Sequence, residues 1–319
     1  MKALIIGGAG FVGHYLIDHL QKDCKWSVSV TKMKHESISN ATDISIYDLD
    51  ILDRQAIFSL INKIRPDSII HLAAQSSVSV SWKNPALTVD VNIKGTINLL
   101  EAIRELDYKP KVLLIGSGEE YGNVKQEDIP LKETNVLAPG NIYAATKVCQ
   151  NMLGKIYADA YDMNVIMARP FNHIGPGQSS IFVVSDFCKQ VAAIEYGVQD
   201  SVIKVGNLSA KRDFTDVRDV VKAYSELIMN GKNGEIYNIG NGNAIEIKSI
   251  LDLILSKANI DIDVKIDPDK FRPVDVPIIE PNVSKLQDIC DWKSTISIEE
   301  SIIDILFEWR NFYKDKGNY

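Results

Sequence analysis

The glycine-rich turn near the N-terminus constrains this chain more than any other stretch. Residues 3–6 are all apolar and predict a buried strand, while helical apolar spacing begins at Tyr15. Between them lie Gly7, Gly10 and Gly13, in the spacing G-x-x-G-x-x-G. Such glycines permit a tight turn, a close approach of the backbone to phosphates, and close packing of helix on strand. The pattern predicts a pyrophosphate site at a helix N-terminus; the alternative is a tight β–α turn without a ligand.

Composition narrows the class of protein. The 319 residues suit one large α/β unit or two domains that share a cleft. A net charge of −7 argues against non-specific binding to nucleic acid, and no apolar run reaches the ~20 residues of a membrane helix. The first strand begins almost at once, which leaves no room for a signal peptide. Four cysteines lie far apart, without metal or redox spacing, and predict reduced thiols in a cytoplasmic protein that has no metal site. They are Cys24, Cys149, Cys188 and Cys290.

The end of the predicted second strand, residues 26–30, bears on the choice of cofactor. Sites that prefer NAD usually carry Asp or Glu there, which binds the ribose 2′-hydroxyl. This chain has Thr31 and Lys32 instead, so the sequence favours NADP(H), with NAD(H) as the alternative. A solvated basic loop is the interpretation without a ligand. Further along, Asp50 and Ile51 are placed to meet an adenine ring, through one polar and one apolar contact.

A tyrosine and a lysine on one predicted helix, residues 140–161, supply candidate acid–base chemistry. Tyr143 and Lys147 are four residues apart and therefore share a helix face. The neighbouring ammonium is expected to lower the pKa of the phenol, which makes Tyr143 a usable general acid or base. Lys147 is also placed to hold the cofactor ribose. Ser117, at the end of the predicted fifth strand, is placed to donate to a developing alkoxide.

These motifs resemble the extended short-chain dehydrogenase/reductase family of nucleotide-sugar enzymes. The resemblance covers nearly the whole chain and implies a doubly wound parallel Rossmann sheet with a smaller α/β substrate domain. The implied division is 1–169 for the cofactor and 170–319 for the nucleotide sugar, with 212–240 returning to the first domain. The family's catalytic residues fall on Ser117, Tyr143 and Lys147, and Glu119 keeps the position of a family glutamate.

The resemblance also implies binding residues. For the cofactor these are Gly7, Gly10, Phe11, Val12, Gly13, Thr31, Lys32, Asp50, Ile51, Leu72, Ala73, Ala74, Asn92, Tyr143, Lys147, Pro170, Asn172 and His173. For the substrate they are Ser117, Asn172, Val183, Lys189, Arg212 and Arg272. Arg212 is expected to reach the diphosphate in bidentate fashion; its alternative is a surface ion pair with a neighbouring aspartate.

Residues 169–178 and 182–187 look most like the GDP-4-dehydro-6-deoxy-mannose reductases within that family. This resemblance implies NADPH-dependent reduction of the 4-keto group of a GDP-4-dehydro-6-deoxyhexose, as in GDP-rhamnose-type sugar biosynthesis. Gly118 departs from the reductases, which usually have Ser there, and from the 4,6-dehydratases, which have Asp or Ser. A 4,6-dehydratase or 4-epimerase on the same scaffold, and a non-enzymatic dinucleotide-sensing protein, are the alternatives. A homodimer is expected through a long helix at 82–106 and the helix at 140–161.

Overall fold

The structure is a computed structural model that describes residues 1–38, 43–271 and 276–316. The strands in this part of the chain are β1 (Lys2–Ile6), β2 (Ser27–Lys32), β3 (Ser45–Asp48), β4 (Ser68–His71), β5 (Lys111–Ile115), β6 (Val165–Pro170), β7 (Asn172–Ile174), β8 (Val202–Val205), β9 (Lys211–Asp216), β10 (Ile236–Ile239), β11 (Ala244–Glu246), β12 (Asp263–Ile266) and β13 (Ile278–Ile279). The α-helices are α1 (Phe11–Lys22), α2 (Arg54–Ile64), α3 (Val78–Lys83), α4 (Pro85–Val89), α5 (Gly95–Arg104), α6 (Ile142–Tyr161), α7 (Val183–Glu195), α8 (Val217–Asn230), α9 (Ile247–Ser256), α10 (Ser284–Gln287) and α11 (Ile298–Lys316).

The main sheet has seven parallel strands in the order β10-β6-β5-β4-β1-β2-β3. The chain moves outward from β1 in both directions, which is the doubly wound Rossmann order. Successive side chains of β1 enter opposite layers. Ala3 and Ile5 pack with α1 and α8, while Leu4 and Ile6 pack with α2 and α5. The predicted fold class is confirmed, because an all-apolar strand is what a sheet covered on both faces requires.

The smaller unit is built on a third core. Strand β9 pairs with β7, β11 and β13, and β8 pairs with β12. Helices α7, α9 and α11 pack together over this unit. The chain then returns to the large unit, since α8 packs on α1 and β10 joins β6. Strand β9 pairs within the smaller sheet and Phe214 packs in its core, so α8, which begins at Val217, is the first element of this returning segment to pack on the large unit.

The predicted long helix at 82–106 is interrupted. Helix α3 starts at Val78 and ends before Asn84, whose side chain accepts a hydrogen bond from the Leu87 amide (3.2 Å) and so begins α4. Pro85 at the first turn has no amide proton to donate, which explains the break. A π-helical turn, Asp90–Lys94, then joins α4 to α5.

Candidate active site

A cavity of 1120 Å³ lies between the carboxyl edge of the main sheet and the smaller unit. Ligands of open parallel sheets bind at this edge. Most of the predicted cofactor residues line the cavity: Gly7, Gly10, Phe11, Val12, Gly13, Thr31, Lys32, Asp50, Ile51, Leu72, Ala73, Ala74, Tyr143, Lys147, Pro170, Asn172 and His173. The fold therefore gathers residues from several separate stretches of the chain around one space.

The glycine turn fits a pyrophosphate. Gly7 has a φ of +83° and packs so closely on Ala73 that a Cβ would lie 2.6 Å from its backbone. A Cβ on Gly13 would lie 2.2 Å from the Gly8 carbonyl, so α1 packs directly on the turn. At Gly10, by contrast, a Cβ would meet nothing within 4 Å. Gly10 is the N-cap of α1 and provides no capping side chain, so an anion can approach the helix N-terminus.

The candidate catalytic side chains converge from two elements. Ser117 follows β5 and its Oγ accepts a hydrogen bond from the Glu119 amide (3.2 Å). Tyr143 lies in the first turn of α6, which Asn141 caps by accepting from the Ala144 amide (2.8 Å). Ser117 and Tyr143 both line the cavity, and the Ser117 hydroxyl lies close enough to the phenol to act to lower its pKa. The structure thus places the predicted hydroxyl and phenol side by side at the cavity wall.

Lys147 lies one helical turn beyond Tyr143 and is buried. Its Nζ donates to the Ile115 carbonyl (2.7 Å) and to Gln150 Oε1 (3.1 Å), and it lies 6.0 Å from the centroid of the Tyr143 ring. Burial lowers the pKa of Lys147 to about 8, against a smaller opposing effect of Glu120. Lys147 is therefore mostly protonated at pH 7 and loses its proton as the pH rises through about 8.

The expected lowering of the Tyr143 pKa is wrong for this structure. Burial raises the pKa of Tyr143, and the charges of Glu119 and Glu120 add to the rise, whereas the hydrogen bond from Ser117 opposes it. The physical reason is that the site withdraws the phenol from water, which disfavours phenolate. Tyr143 is therefore a proton donor in its resting state.

A buried polar network supports Ser117 from behind. Glu120 is fully buried, and its Oε1 accepts from the Ser117 amide (2.8 Å) and from Asn151 Nδ2 (2.7 Å). Its Oε2 pairs with Arg169 Nε on β6 at 2.7 Å. The Arg169 guanidinium in turn donates to the hydroxyl of Tyr121 (3.3 Å). The turn after β5 is therefore tied to both α6 and β6, a role that sequence spacing did not reveal.

Asn92, predicted as a cofactor residue, is not among the residues that line the cavity. It is fully buried in the π-helical turn. Its Oδ1 accepts from the Gln75 amide (2.8 Å), and its Nδ2 donates to the Gln75 carbonyl (3.0 Å) and to Thr146 Oγ1 (2.9 Å). Asn92 thus fixes the segment after β4, of which Ala74, Ser76 and Ser77 do line the cavity.

At the end of β2 the two predicted residues behave differently. Thr31 is buried and its Oγ1 accepts from the Gly7 amide (3.0 Å), so it shapes the glycine turn. Lys32 donates to Asp48 Oδ1 at 2.6 Å. Glu36 also lines the cavity, although the sequence pattern placed no carboxylate in the few residues that follow this strand. The sequence signal that could have identified this carboxylate was an acidic residue four positions after Lys32.

The substrate side of the cavity is only partly as predicted. Ser117, Glu119, Asn172, Val183 and Arg212 line the cavity. Arg212 Nη1 donates to the Val276 carbonyl (2.6 Å) and to the Lys211 carbonyl (2.9 Å), so two backbone carbonyls engage this nitrogen. Arg272 lies outside the described residues.

Two lysines lie on the substrate side of the protein: Lys189, which was predicted from the sequence as a substrate residue, and Lys270, which was not singled out. Lys189 lies outside the cavity lining, where its Nζ approaches Ser180 Oγ (3.2 Å) and lies over the Trp309 ring. Lys270 lines the cavity and pairs with Asp186 at 2.5 Å. The sequence signal that could have identified Lys270 was its position two residues before Arg272, a predicted substrate residue.

Phe11 of the glycine turn connects the two sides of the cavity. Its ring is stacked on His173, with centroids 6.1 Å apart and planes 2° apart. Burial lowers the pKa of His173, so the imidazole is neutral. The Tyr15 hydroxyl also donates to the Pro176 carbonyl (2.7 Å). Contacts from α1 therefore hold the segment that follows β7.

Metal-ligand clusters and membrane-spanning helices are both absent from the described part of the chain. Within 1–38, 43–271 and 276–316, no group of three His, Cys, Asp or Glu side chains is arranged to hold a metal ion. Over the same residues, no helix combines the length and apolarity needed to cross a membrane.

The fold and site define a Rossmann-type protein of the extended short-chain dehydrogenase/reductase class. The family model described as GDP-mannose 4,6 dehydratase matches residues 4–305, and the chain belongs to this family.

Several relatives match over nearly their whole length. GDP-6-deoxy-D-mannose reductase of Pseudomonas aeruginosa is 30% identical over 316 residues, which cover 99% of each chain. GDP-mannose 4,6-dehydratase of Yersinia enterocolitica is 27% identical, covering 96% of this chain and 92% of its own.

Solved structures of related proteins have the same fold along nearly the whole chain. RMD from Pseudomonas aeruginosa, complexed with NADPH, superposes with a TM-score of 0.85 at 30% identity, over 98% of this chain and 100% of its own. UDP-glucose 4-epimerase of Thermus thermophilus, in complex with NAD, gives 0.87 at 26% identity, over 97% and 99%.

Proposed function

We propose that this protein reduces the 4-keto group of a GDP-4-dehydro-6-deoxyhexose, with NADPH as the electron donor. The observation that carries the proposal is the placement of Ser117 and Tyr143 together at the wall of the cavity that also contains the glycine turn. The substrate class rests on the similarity to the Pseudomonas aeruginosa reductase along the whole chain.

The chemistry of these side chains suits a ketone reduction. When bound, a reduced nicotinamide supplies a hydride to the carbonyl carbon. Tyr143, which burial keeps protonated, delivers its proton to the carbonyl oxygen, so that the C=O becomes a secondary alcohol. Ser117 donates a hydrogen bond to the same oxygen as negative charge develops. Lys147 holds a positive charge one helical turn away and binds the ribose.

The dehydratase alternative meets an obstacle at Gly118. A Cβ at this position would lie 2.9 Å from the ring of Phe171, so the ring occupies the space of the acidic or hydroxyl side chain that those enzymes carry. Glu119 remains, and its Oε2 accepts from Asn141 Nδ2 (3.2 Å). A 4-epimerase remains the second candidate, because an epimerase structure superposes along the chain.

We infer three further properties. The cofactor domain ends at residue 169 and the nucleotide-sugar domain begins at residue 170, while residues 217–240 return to the cofactor domain. A homodimer through α4 and α6 would cover Val89, Met152 and Ile156, which are 42%, 59% and 51% exposed. A cytoplasmic location fits the four cysteines, all of which are free thiols.

An assay with stoichiometric NADPH separates the candidates. The protein is incubated with NADPH and a panel of 4-keto nucleotide sugars, and absorbance at the nicotinamide band is followed together with product NMR. A reductase consumes one NADPH per product, whereas an epimerase or dehydratase turns over without it. Tyr143→Phe should keep cofactor affinity and lose about 10²–10⁴-fold in kcat. Tight NADPH binding with no turnover on any sugar would favour the dinucleotide-sensing alternative.

A further inference from the structure

Three charged residues, Lys32, Asp48 and Glu36, lie around the end of β2. Lys32 is the cation available to a 2′-phosphate, and only 17% of its side chain is exposed. Its Nζ is already engaged by Asp48 Oδ1 (2.6 Å) and approaches the Met33 carbonyl (3.3 Å). Lys32 and Asp48 are register partners on the adjacent strands β2 and β3, so the sheet itself holds them together.

A tight turn brings a second carboxylate to the same place. The Glu36 amide donates to the Met33 carbonyl (3.0 Å), and Glu36 Oε2 accepts from the Met33 amide (2.8 Å). Lys32, Met33 and Glu36 all line the cavity. The turn therefore returns the Glu36 carboxylate to the amide of Met33, the residue that follows Lys32 at the strand end.

These charges act in opposite directions on the two nicotinamide cofactors. A 2′-phosphate would have to share Lys32 with Asp48 and would face the like charge of Glu36, which costs free energy. A 2′-hydroxyl would instead find a carboxylate acceptor, as in sites that prefer NAD.

We propose that Asp48 and Glu36 restrain the preference for NADPH, so that the protein binds NADH and NADPH with affinities within about tenfold of each other. This inference rests on the proposed function only in requiring a nicotinamide dinucleotide in the cavity. It assigns the cofactor choice to two carboxylates, one of which pairs with the cation while the other faces the phosphate.

The test is a binding measurement on the full chain. Dissociation constants for NADPH and NADH are measured by fluorescence titration for the wild type, Asp48→Asn and Glu36→Gln at about 0.15 M salt. Each variant is expected to raise the preference for NADPH about fivefold, chiefly through tighter NADPH binding. Asp252→Asn is the matched control, since it removes one charge from an exposed i,i+4 pair with Lys248 on α9. The ratio of its dissociation constants for NADH and NADPH should equal that of the wild type.

The outcomes are distinct. A wild-type preference above tenfold for either cofactor, or a rise under threefold in both variants, overturns the inference. A rise in one variant alone assigns the restraint to that carboxylate and overturns the joint role. Failure of the wild type to bind either cofactor refutes the proposed function itself, whereas binding with an unmoved ratio refutes this inference alone.

Discussion

Glu120 and Arg169 form an ion pair, 2.7 Å long, that is fully enclosed behind Ser117. Glu120 has no solvent exposure and Arg169 has 3%. The same carboxylate accepts from the Ser117 amide, so one buried group both neutralises a guanidinium and fixes the backbone of the candidate catalytic serine.

Replacement of Glu120 tests this relationship. Glu120→Gln retains an acceptor for the Ser117 amide but leaves the Arg169 charge unpaired, so the free energy of unfolding should fall by ~3–5 kcal/mol. Chemical denaturation measures it. Asp18→Asn, which breaks the exposed pair with Lys22, is the control and should change stability by less than about 1 kcal/mol. An equally small change in Glu120→Gln would contradict the buried-pair account.

Lys147 predicts a pH dependence of cofactor binding. Its pKa of about 8 means that the free protein loses the ammonium as pH rises through that value. The Kd for NADPH should therefore increase above pH 8, approaching tenfold per pH unit, and should be flat with pH in Lys147→Met. Lys155→Met, at an exposed position on the same helix, should retain the wild-type profile. A wild-type Kd that is constant from pH 7 to 10 would count against the role of Lys147.

The same pKa has a consequence for stability. The unfolded chain binds this proton up to the ordinary lysine value of 10.5, whereas the folded chain releases it near 8. The contribution of Lys147 to the free energy of unfolding therefore rises between about pH 8 and 10.5. The difference in stability between wild type and Lys147→Met should become more favourable to the wild type over that interval.

Gly10 and Gly13 are a matched pair of glycines with opposite expected behaviour. Gly10→Ala places a methyl group in open space, so the free energy of unfolding should fall by no more than about 1 kcal/mol, the cost of a poorer N-cap residue, while the Kd for NADPH rises about tenfold or more. Gly13→Ala drives a Cβ toward the Gly8 carbonyl and should destabilise the fold by ~1–3 kcal/mol. Unchanged NADPH affinity in Gly10→Ala would place the diphosphate elsewhere.

Asn92 is expected to act through the segment that it holds. Asn92→Ala leaves the amide and carbonyl of Gln75 without their partners, which costs ~1–3 kcal/mol. Hydrogen exchange should accelerate at the Gln75 amide, and the Kd for NADPH should increase. Asn230→Ala, at an exposed position near the end of α8, is the control and should change neither. If the Gln75 amide remains protected from hydrogen exchange in Asn92→Ala, then Asn92 does not hold the segment after β4.

Much of the large unit could be predicted because its signals are local. Asp53 directly precedes α2, and its carboxylate accepts from the Ala56 amide (2.9 Å), a capping contact within a single turn of the chain. The helix that carries Tyr143 and Lys147 spans Ile142–Tyr161, against the predicted 140–161. Residues whose roles depend on distant partners were harder to place. Lys189 and Asn92 matched family positions, but α11 and the segment after β4 determine what they touch.

By itself the sequence determined the glycine turn between β1 and α1 and the spacing of the phenol and the ammonium on one helix. These depend on residues within one or two turns of each other, where steric and hydrogen-bonding preferences act directly. Only the tertiary structure decided the protonation state of Tyr143, the fit of Phe171 against Gly118, and the pairing of Lys32 with Asp48 at the cavity. Burial and charge proximity depend on segments far apart in the chain, and no local pattern encodes them.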